Sequence, residues 1–188
     1  MNICVYCASS ENIDKSYLNA GEAFGEALAE NGHTLIFGAG KYGVMGAVAR
    51  GSHRKNGDII GIVPRFFDRY DVIFTECKLI KTDTMRERKE AMENKSDAFI
   101  MMPGGIGTFD EFFEMLTLKQ LDRHRKPIVI YNVNGYYDLL LATLDKALNE
   151  GFMSEKYTKL FFVSDNKDEI FEYLDSYKPF SYDKYDND

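Results

Sequence analysis

A glycine-rich segment at residues 103–111 carries the residues best suited to chemistry. It reads Pro-Gly-Gly-Ile-Gly-Thr-Phe-Asp-Glu, follows an apolar run and precedes a helical pattern. Glycines let backbone N–H groups approach an anion closely, and the positive end of the following helix dipole adds to the attraction. The segment therefore predicts a phosphate-binding junction with the carboxylate of Glu111 beside the bound group. This arrangement suggests chemistry on a phosphorylated substrate.

A charged residue at the start of the preceding helical pattern points to the same place. Arg88 lies three residues after Met85 and four before Met92, so it shares a stripe with two apolar residues. A charge on such a stripe needs a partner, and in an open α/β sheet both helix starts lie at the ligand-binding ends of strands. We expect Arg88 and Glu111 to share one site. A purely structural ion pair of Arg88 with Glu111 or Glu87 is the alternative.

Glu111 also has a structural interpretation within its own helix. Thr108 and Glu111 fit a capping box, in which the glutamate folds back onto the helix N-terminus. Thr84 and Glu87 repeat the pattern at the start of the preceding helix. The two interpretations of Glu111 differ in where its carboxylate points.

A second glycine loop, at residues 38–46, follows the strand-like run Thr34–Phe37 and matches G-x-G-x-x-G. This context is typical of dinucleotide-binding proteins. However, the loop follows the second strand rather than the first, and Asp58, the acid near the expected offset, precedes its strand. We therefore favour a nucleotide phosphate or sugar contact from these glycines, and keep a nicotinamide or flavin cofactor as the alternative.

Strand-like runs and helical patterns alternate along the chain. The strand-like runs are Ile3–Cys7, Thr34–Phe37, Ile59–Val63, Val72–Ile80, Ala98–Met102, Ile128–Tyr131 and Leu160–Val163. The helical patterns are Lys15–Glu30, Val44–Asn56, Met85–Lys95, Phe109–Asp122, Tyr136–Asn149 and Lys167–Tyr177. Alternation predicts parallel strands with right-handed crossovers, and the nearly apolar strands indicate helices on both faces. We predict a Rossmann-like α/β fold, a doubly wound parallel sheet in one domain of residues 1–178, with a polar tail at 179–188.

Net charge and the length of the apolar runs argue against nucleic-acid and membrane partners. The net charge of −7 and the pI near 5.1 argue against a broad nucleic-acid-binding surface. No apolar run approaches the roughly 20 residues of a membrane span, and the first residues are strand-like without a charged leader. We expect a cytoplasmic protein without nucleic-acid or membrane partners.

The cysteines and histidines do not predict a metal site. Cys4 and Cys7 form a C-x-x-C pair inside a strand-like run, so their side chains should point to opposite faces. The three histidines lie in or near loops and polar helix ends, where we expect them to be solvated: His33, His53 and His124. We predict no metal and no organic cofactor.

Two motifs together resemble one family. The segment Pro103–Glu111 resembles the P-G-G-x-G-T-x-x-E motif, and Met85–Lys89 the M-x-x-R-K element, of the Lonely Guy family of cytokinin riboside 5′-monophosphate phosphoribohydrolases. The resemblance covers about residues 2–165. It implies a homodimeric Rossmann-like enzyme that hydrolyses the N-glycosidic bond of an adenosine 5′-monophosphate, with or without an N6 substituent, and releases the base and ribose 5-phosphate.

The resemblance also implies roles for individual positions. Arg88 and Glu111 match the catalytic pair of the family, and substrate-binding places fall on Lys89, Gly105, Gly107, Thr108 and Thr117. Apart from the resemblance, the two glycine-rich segments and the loop after the first strand predict further substrate contacts, at Gly104, Ile106, Ser9, Gly40 and Gly43. Members of the family have also been labelled lysine decarboxylases, but no lysine stands in a recognisable setting for pyridoxal phosphate.

The expected mechanism assigns complementary roles to the catalytic pair. Glu111 would stabilise positive charge on the sugar and orient water, and Arg88 would bind substrate and lower the pKa of Glu111. A non-catalytic protein that senses nucleotides is the competing hypothesis. The helix at residues 109–121 is apolar over a surface too wide for one sheet contact, which predicts a homodimer.

Overall fold

A computed structural model describes residues 1–181 and contains a seven-stranded parallel sheet within that range. The strands are β1 (Asn2–Tyr6), β2 (Thr34–Phe37), β3 (Ile59–Pro64), β4 (Lys78–Thr82), β5 (Ala98–Met101), β6 (Ile128–Tyr131) and β7 (Phe162–Ser164). Their order is β4-β3-β2-β1-β5-β6-β7, so the winding direction reverses between β1 and β5. The predicted doubly wound Rossmann-like fold is confirmed.

Six α-helices of the described chain cover the sheet: α1 (Lys15–Glu30), α2 (Gly43–Arg54), α3 (Met85–Lys95), α4 (Ile106–Gln120), α5 (Asp138–Asn149) and α6 (Lys167–Ser176). Helices α1, α2 and α6 pack on one face of the sheet, and α3, α4 and α5 pack on the other. Successive strand residues point to opposite faces, so each strand contributes side chains to both apolar layers. Cys4 and Cys7 accordingly belong to different apolar layers and are free thiols.

Two predicted boundaries differ from the structure in regions that matter for the site. Helix α4 begins at Ile106 rather than Phe109, because Gly105 is its N-cap. Strand β4 begins at Lys78 rather than Val72, because residues 72–74 pair instead with the second glycine loop. In that pairing, Lys41 donates its N–H to the Val72 carbonyl, and Phe74 donates to the Ala39 carbonyl.

His124 is buried, so the expectation that it is solvated is wrong. Its Nε2 lies 2.8 Å from the Met115 carbonyl, and its Nδ1 accepts the N–H of Lys126. Because Nδ1 is an acceptor, the proton of the neutral ring is on Nε2. Burial lowers the pKa of His124 to about 4.

The described part of the C-terminal segment packs against the domain. The Tyr177 hydroxyl donates to the Arg125 carbonyl, and Phe180 contacts the apolar layer under α4. The remainder of the predicted tail, residues 182–188, lies outside the described residues. Within residues 1–181, no helix is long and apolar enough to cross a membrane.

Candidate active site

A cavity of about 520 Å³ opens at the carboxyl ends of the central strands. Residues 7–10, which follow β1, line the cavity, and so do residues 38–40 and Tyr42, which follow β2. The connection from β3 to β4 forms another wall, and the starts of α3 and α4 complete it. The cavity therefore lies beside the point where the sheet reverses its winding, which is the usual ligand-binding place in this architecture.

Arg88 and Glu111 form a buried ion pair in this cavity. The Arg88 Nη1 lies 2.6 Å from the Glu111 Oε1, and the two residues are only 6% and 8% exposed. The Arg88 Nε also donates to the Ile62 carbonyl at 3.2 Å. These two contacts fix the guanidinium between α3, α4 and the end of β3.

The start of each helix shows why this pair forms. Helix α3 has the predicted capping box, in which Thr84 accepts the N–H of Glu87 and the Glu87 carboxylate accepts the N–H of Thr84. The capping-box interpretation of Thr108 and Glu111 is wrong, because both residues lie inside α4. The N-cap of this helix is Gly105, and it makes no side-chain hydrogen bond. The Glu111 side chain is therefore directed at Arg88 instead of its own helix end.

Burial raises the pKa of Glu111, while the charge and hydrogen bond of Arg88 oppose this effect. Arg88 thus lowers the pKa of Glu111 as expected, but burial is the larger influence and the net shift of this pKa is upward. The nearby charge of Asp110 raises the pKa further, and that of Lys89 lowers it. Glu111 consequently holds a proton more readily than an exposed glutamate.

The uncapped start of α4 forms the wall next to this pair. The first N–H groups of any α-helix have no partner within the helix, and here no side chain of the described residues caps them. Gly105, Gly107 and Thr108 line the cavity, and a β-carbon on either glycine would meet nothing within 4 Å. This wall combines open space with unpaired donors, as an anion site requires.

Gly104 and Ile106 occupy different surroundings from their neighbours in this loop. Gly104 is buried behind the wall, where its carbonyl accepts the hydroxyl of Tyr136 at 2.9 Å. Ile106 is 88% exposed and lies at a neighbouring surface groove. Neither Gly104 nor Ile106 lines the cavity.

The second glycine loop contributes unequally to the cavity. Gly40 lines it, as does Ser9 from the loop after β1, and the Gly40 N–H donates to the thioether sulfur of Met45 at 3.2 Å. Gly43 is not among the lining residues. It has a φ of +62°, and a β-carbon there would approach the carbonyl oxygens of Ala8 and Ser10 within 2.7 Å. Gly43 thus allows close packing of two loops.

Lys89 and Thr117 lie in the groove beside the cavity rather than in it. The Lys89 Nζ is 2.7 Å from a Glu114 carboxylate oxygen and 3.1 Å from Asp110 Oδ2. Hydrogen bonding to Glu114 raises the pKa of Lys89. Asp110 borders both the cavity and the groove, and sequence reasoning did not single it out.

Sequence reasoning also missed the role of Gly38 beside Arg88 and the apolar wall of the cavity. A β-carbon on Gly38 would overlap the Arg88 Nη2, so the first glycine of the G-x-G-x-x-G pattern makes room for the guanidinium. The apolar wall of the cavity is formed by the side chains of Met45, Val63, Phe67, Val72, Ile73 and Met85. The cavity can therefore hold a ligand that has both an anionic group and an apolar group.

Comparisons of the sequence with known proteins identify a family model and several relatives. A family model described as "Possible lysine decarboxylase" matches residues 45–174. The chain is 38% identical over 178 residues to the probable cytokinin riboside 5′-monophosphate phosphoribohydrolase LOGL5 of Oryza sativa subsp. japonica, covering 94% of this chain and 72% of the relative. It is 36% identical to the phosphoribohydrolase LOG5 of Arabidopsis thaliana, covering 94% and 78%.

Solved structures give the same fold at lower identity. The molybdenum cofactor binding protein of Rippkaea orientalis matches with a TM-score of 0.69 and 20% identity, covering 93% of this chain and 95% of that protein. The Moco carrier protein of Chlamydomonas reinhardtii matches with a TM-score of 0.68 and 20% identity, covering 93% and 94%. At this identity, the likeness shows the fold alone.

Proposed function

Because this chain belongs to the Lonely Guy family of cytokinin riboside 5′-monophosphate phosphoribohydrolases, we propose that it hydrolyses an adenosine 5′-monophosphate, with or without an N6 substituent. The products are the free base and ribose 5-phosphate. The observation that carries the proposal is the buried Arg88–Glu111 pair beside the uncapped start of α4, within one cavity. The pair supplies reactive charge, and the helix start supplies a place for the phosphate.

The cavity walls orient the substrate in this proposal. The 5′-phosphate binds at the start of α4, where backbone N–H groups and the helix dipole favour an anion. The base lies against the apolar wall around Phe67 and Ile73. The ribose then falls between these ends, close to Glu111.

Charge development on the sugar explains the need for the buried pair. Breaking the bond between ribose and base passes through a sugar with oxocarbenium character. The ionised Glu111 carboxylate stabilises that positive charge, more strongly in a buried site than in water. Arg88 holds the carboxylate in place through Nη1, while its Nη2 extends toward Gly38 and can bind a phosphate or ribose oxygen of the substrate.

The lysine decarboxylase description of the family model does not fit the cavity. Pyridoxal phosphate binds through a Schiff base to a lysine. Among the described residues that line the cavity there is no lysine. Lys89 is engaged by Asp110 and Glu114, and Lys41 lies 2.6 Å from Asp71. The residues of the cavity therefore do not fit pyridoxal phosphate.

Chromatography of free bases after incubation with a panel of nucleoside 5′-monophosphates tests the proposal. We expect release of adenine or its N6-substituted form together with ribose 5-phosphate. Nucleotide binding without any base release would favour the competing nucleotide-sensing function.

The Glu111→Gln variant tests the role of the buried pair. Glutamine keeps an oxygen that accepts the Arg88 hydrogen bond but removes the negative charge, so we expect a folded protein that binds nucleotide. Turnover at saturating substrate should fall by roughly 10²–10⁴-fold, as for loss of a positioned catalytic carboxylate. A thermal melt confirms folding. Turnover within about threefold of the original, far below that range, would show that Glu111 is structural.

A further inference from the structure

Hydrolysis at a sugar carbon commonly employs two carboxylates with different environments. Among the described residues lining the cavity, the carboxylates are those of Glu111 and its neighbour Asp110. Glu111 is desolvated and committed to Arg88 at 2.6 Å. It can stabilise charge, but its position leaves activation of water to a second group.

Asp110 has the opposite surroundings. Its side chain is 58% exposed, so bulk water reaches the carboxylate at the edge of the cavity. The Lys89 Nζ lies 3.1 Å from Oδ2 and 3.4 Å from Oδ1, and restrains the side chain. Glu114 holds Lys89 from the other side at 2.7 Å. The carboxylate is therefore both restrained and hydrated.

Helix geometry adds a constraint on the direction of attack. Consecutive helical residues are separated by about 100° around the axis, so the side chains of Asp110 and Glu111 leave α4 in different directions, although both residues line the cavity. A water molecule held by Asp110 and a sugar held against Glu111 can therefore occupy adjacent places without competing for one carboxylate.

We propose that Asp110 is a catalytic residue that acts as the general base toward the attacking water. This inference rests on the proposed hydrolase function. The water oxygen forms a bond to the anomeric carbon of the ribose while its proton passes to an Asp110 oxygen. The bond between that carbon and the base nitrogen breaks, and its electron pair remains on the base. The base takes a proton from solvent, and Asp110 returns its proton to solvent.

The test compares Asp110→Asn with a matched control, Glu114→Gln. Each substitution removes one carboxylate that engages Lys89, but Glu114 does not line the cavity. We expect Asp110→Asn to lower kcat for base release by roughly 10²–10⁴-fold with KM nearly unchanged. Glu114→Gln should lower kcat far less than Asp110→Asn does, because Glu114 does not line the cavity and acts on Asp110 only through Lys89. Thermal melts establish that both variants are folded.

Added sodium formate provides a second measurement on the same variants. A small carboxylate can take the place of the missing base, so kcat of Asp110→Asn should rise with formate concentration. The kcat of Glu111→Gln should not rise, since its missing charge lies in a buried ion pair. Rescue confined to Asp110→Asn supports the general-base role.

Three results would overturn the inference without affecting the proposed function. An equal loss of kcat in Asp110→Asn and Glu114→Gln would show that Asp110 only restrains Lys89. Full activity in Asp110→Asn, or no response of that variant to formate, would place the base elsewhere. These outcomes leave the proposed function intact if the unmodified protein releases base, whereas no release by the unmodified protein would overturn both.

Discussion

The position of Arg88 depends on what is missing at residue 38. The guanidinium reaches Glu111 and the Ile62 carbonyl across the backbone of Gly38, where any side chain would overlap Nη2. Overlap of this kind forces a displacement, because interiors are close-packed. A residue without chemistry of its own thus determines the geometry of the charged pair.

The Gly38→Ala variant tests this dependence. The added methyl group should displace Arg88, reduce base release and lower stability by about 1–3 kcal/mol, the usual effect of overpacking. The double variant Gly38→Ala, Arg88→Lys should recover part of the stability, because an ammonium needs less room, but not the activity. Denaturant unfolding and base release measure the two effects. Unchanged values in Gly38→Ala would show that the loop moves freely.

His124 predicts a pH dependence of folding. Its folded-state pKa of about 4 lies below the ordinary value of 6.5, because burial disfavours the charged form of the ring. As the pH falls below about 6.5, the unfolded state takes up a proton that the folded state excludes until about pH 4. The stability contributed by neutral His124 is present above this window and is lost as the pH falls through it.

A urea titration of unfolding at several pH values between 7.5 and 4 measures this loss. Glutamine cannot gain a proton in this range, so His124→Gln should show a smaller decline in the unfolding free energy than the unmodified protein. Parallel declines in the two proteins would assign the pH dependence to other groups.

At the scale of elements, the N-terminus of α3 is capped by a side chain, whereas the N-terminus of α4 is not. In the capping box of α3, Thr84 accepts the N–H of Glu87, whereas the first N–H groups of α4 lie at the cavity without a side-chain cap. The first arrangement stabilises a helix, and the second leaves donors for a ligand. The difference predicts which helix binds the phosphate.

The 5′-phosphate should therefore be required for efficient turnover. Hydrogen bonds to a charged group contribute about 1.5–3 kcal/mol each, so kcat/KM for adenosine 5′-monophosphate should exceed that for adenosine by at least about tenfold. Gly105→Ala should raise KM for the nucleotide without lowering the melting temperature, since its β-carbon would enter open space. Comparable kcat/KM for nucleoside and nucleotide would contradict a phosphate site at α4.

Periodicity predicted most elements, including the observed bounds of α1, α3, β2 and β6. It also identified Arg88, because a cation on an apolar stripe needs a partner. The start of α4 was misplaced because Thr108 resembles an N-cap, and only the tertiary contact with Arg88 determines where Glu111 points. Residues 72–74 were misassigned because their apolar side chains resemble a strand but form a cavity wall and its support.

Other parts of the site could not be predicted from local pattern. Asp110 stands next to Glu111 in sequence, and its place at the cavity edge follows from the orientation of α4 on the sheet. Lys89 adjoins Arg88, yet one step along the helix turns its ammonium into the neighbouring groove. Such differences between adjacent residues depend on helix rotation, which sequence spacing alone does not define.

At the scale of the whole molecule, the face that carries α4 and α5 is unusually apolar. No residue of α5 is buried within the described chain, although the helix is rich in leucine. Leu139 is 85% exposed and Ile106 is 88% exposed, and Phe109 and Phe113 line the groove beside α4. Exposed apolar surfaces of this kind often mark contacts between subunits.

We expect a homodimer that uses this face. Leu139→Glu should convert it to a monomer without unfolding, because the side chain makes little contact within its own subunit. Glu172→Lys, an exposed change on α6 at the opposite face of the sheet, is the matched control. Sedimentation velocity distinguishes the two states. A monomer at micromolar concentration before substitution would contradict the prediction.

The uneven burial of the three thiols offers a means of observing the cavity directly. Cys4 and Cys7 are buried, whereas Cys77 is half-buried and lies on the same connection that supplies Phe67 and Ile73. A maleimide dye should label native protein at Cys77 and reach the other two thiols only after denaturation, which mass spectrometry can verify. Fluorescence from that dye would report occupancy of the cavity even for ligands that are never cleaved.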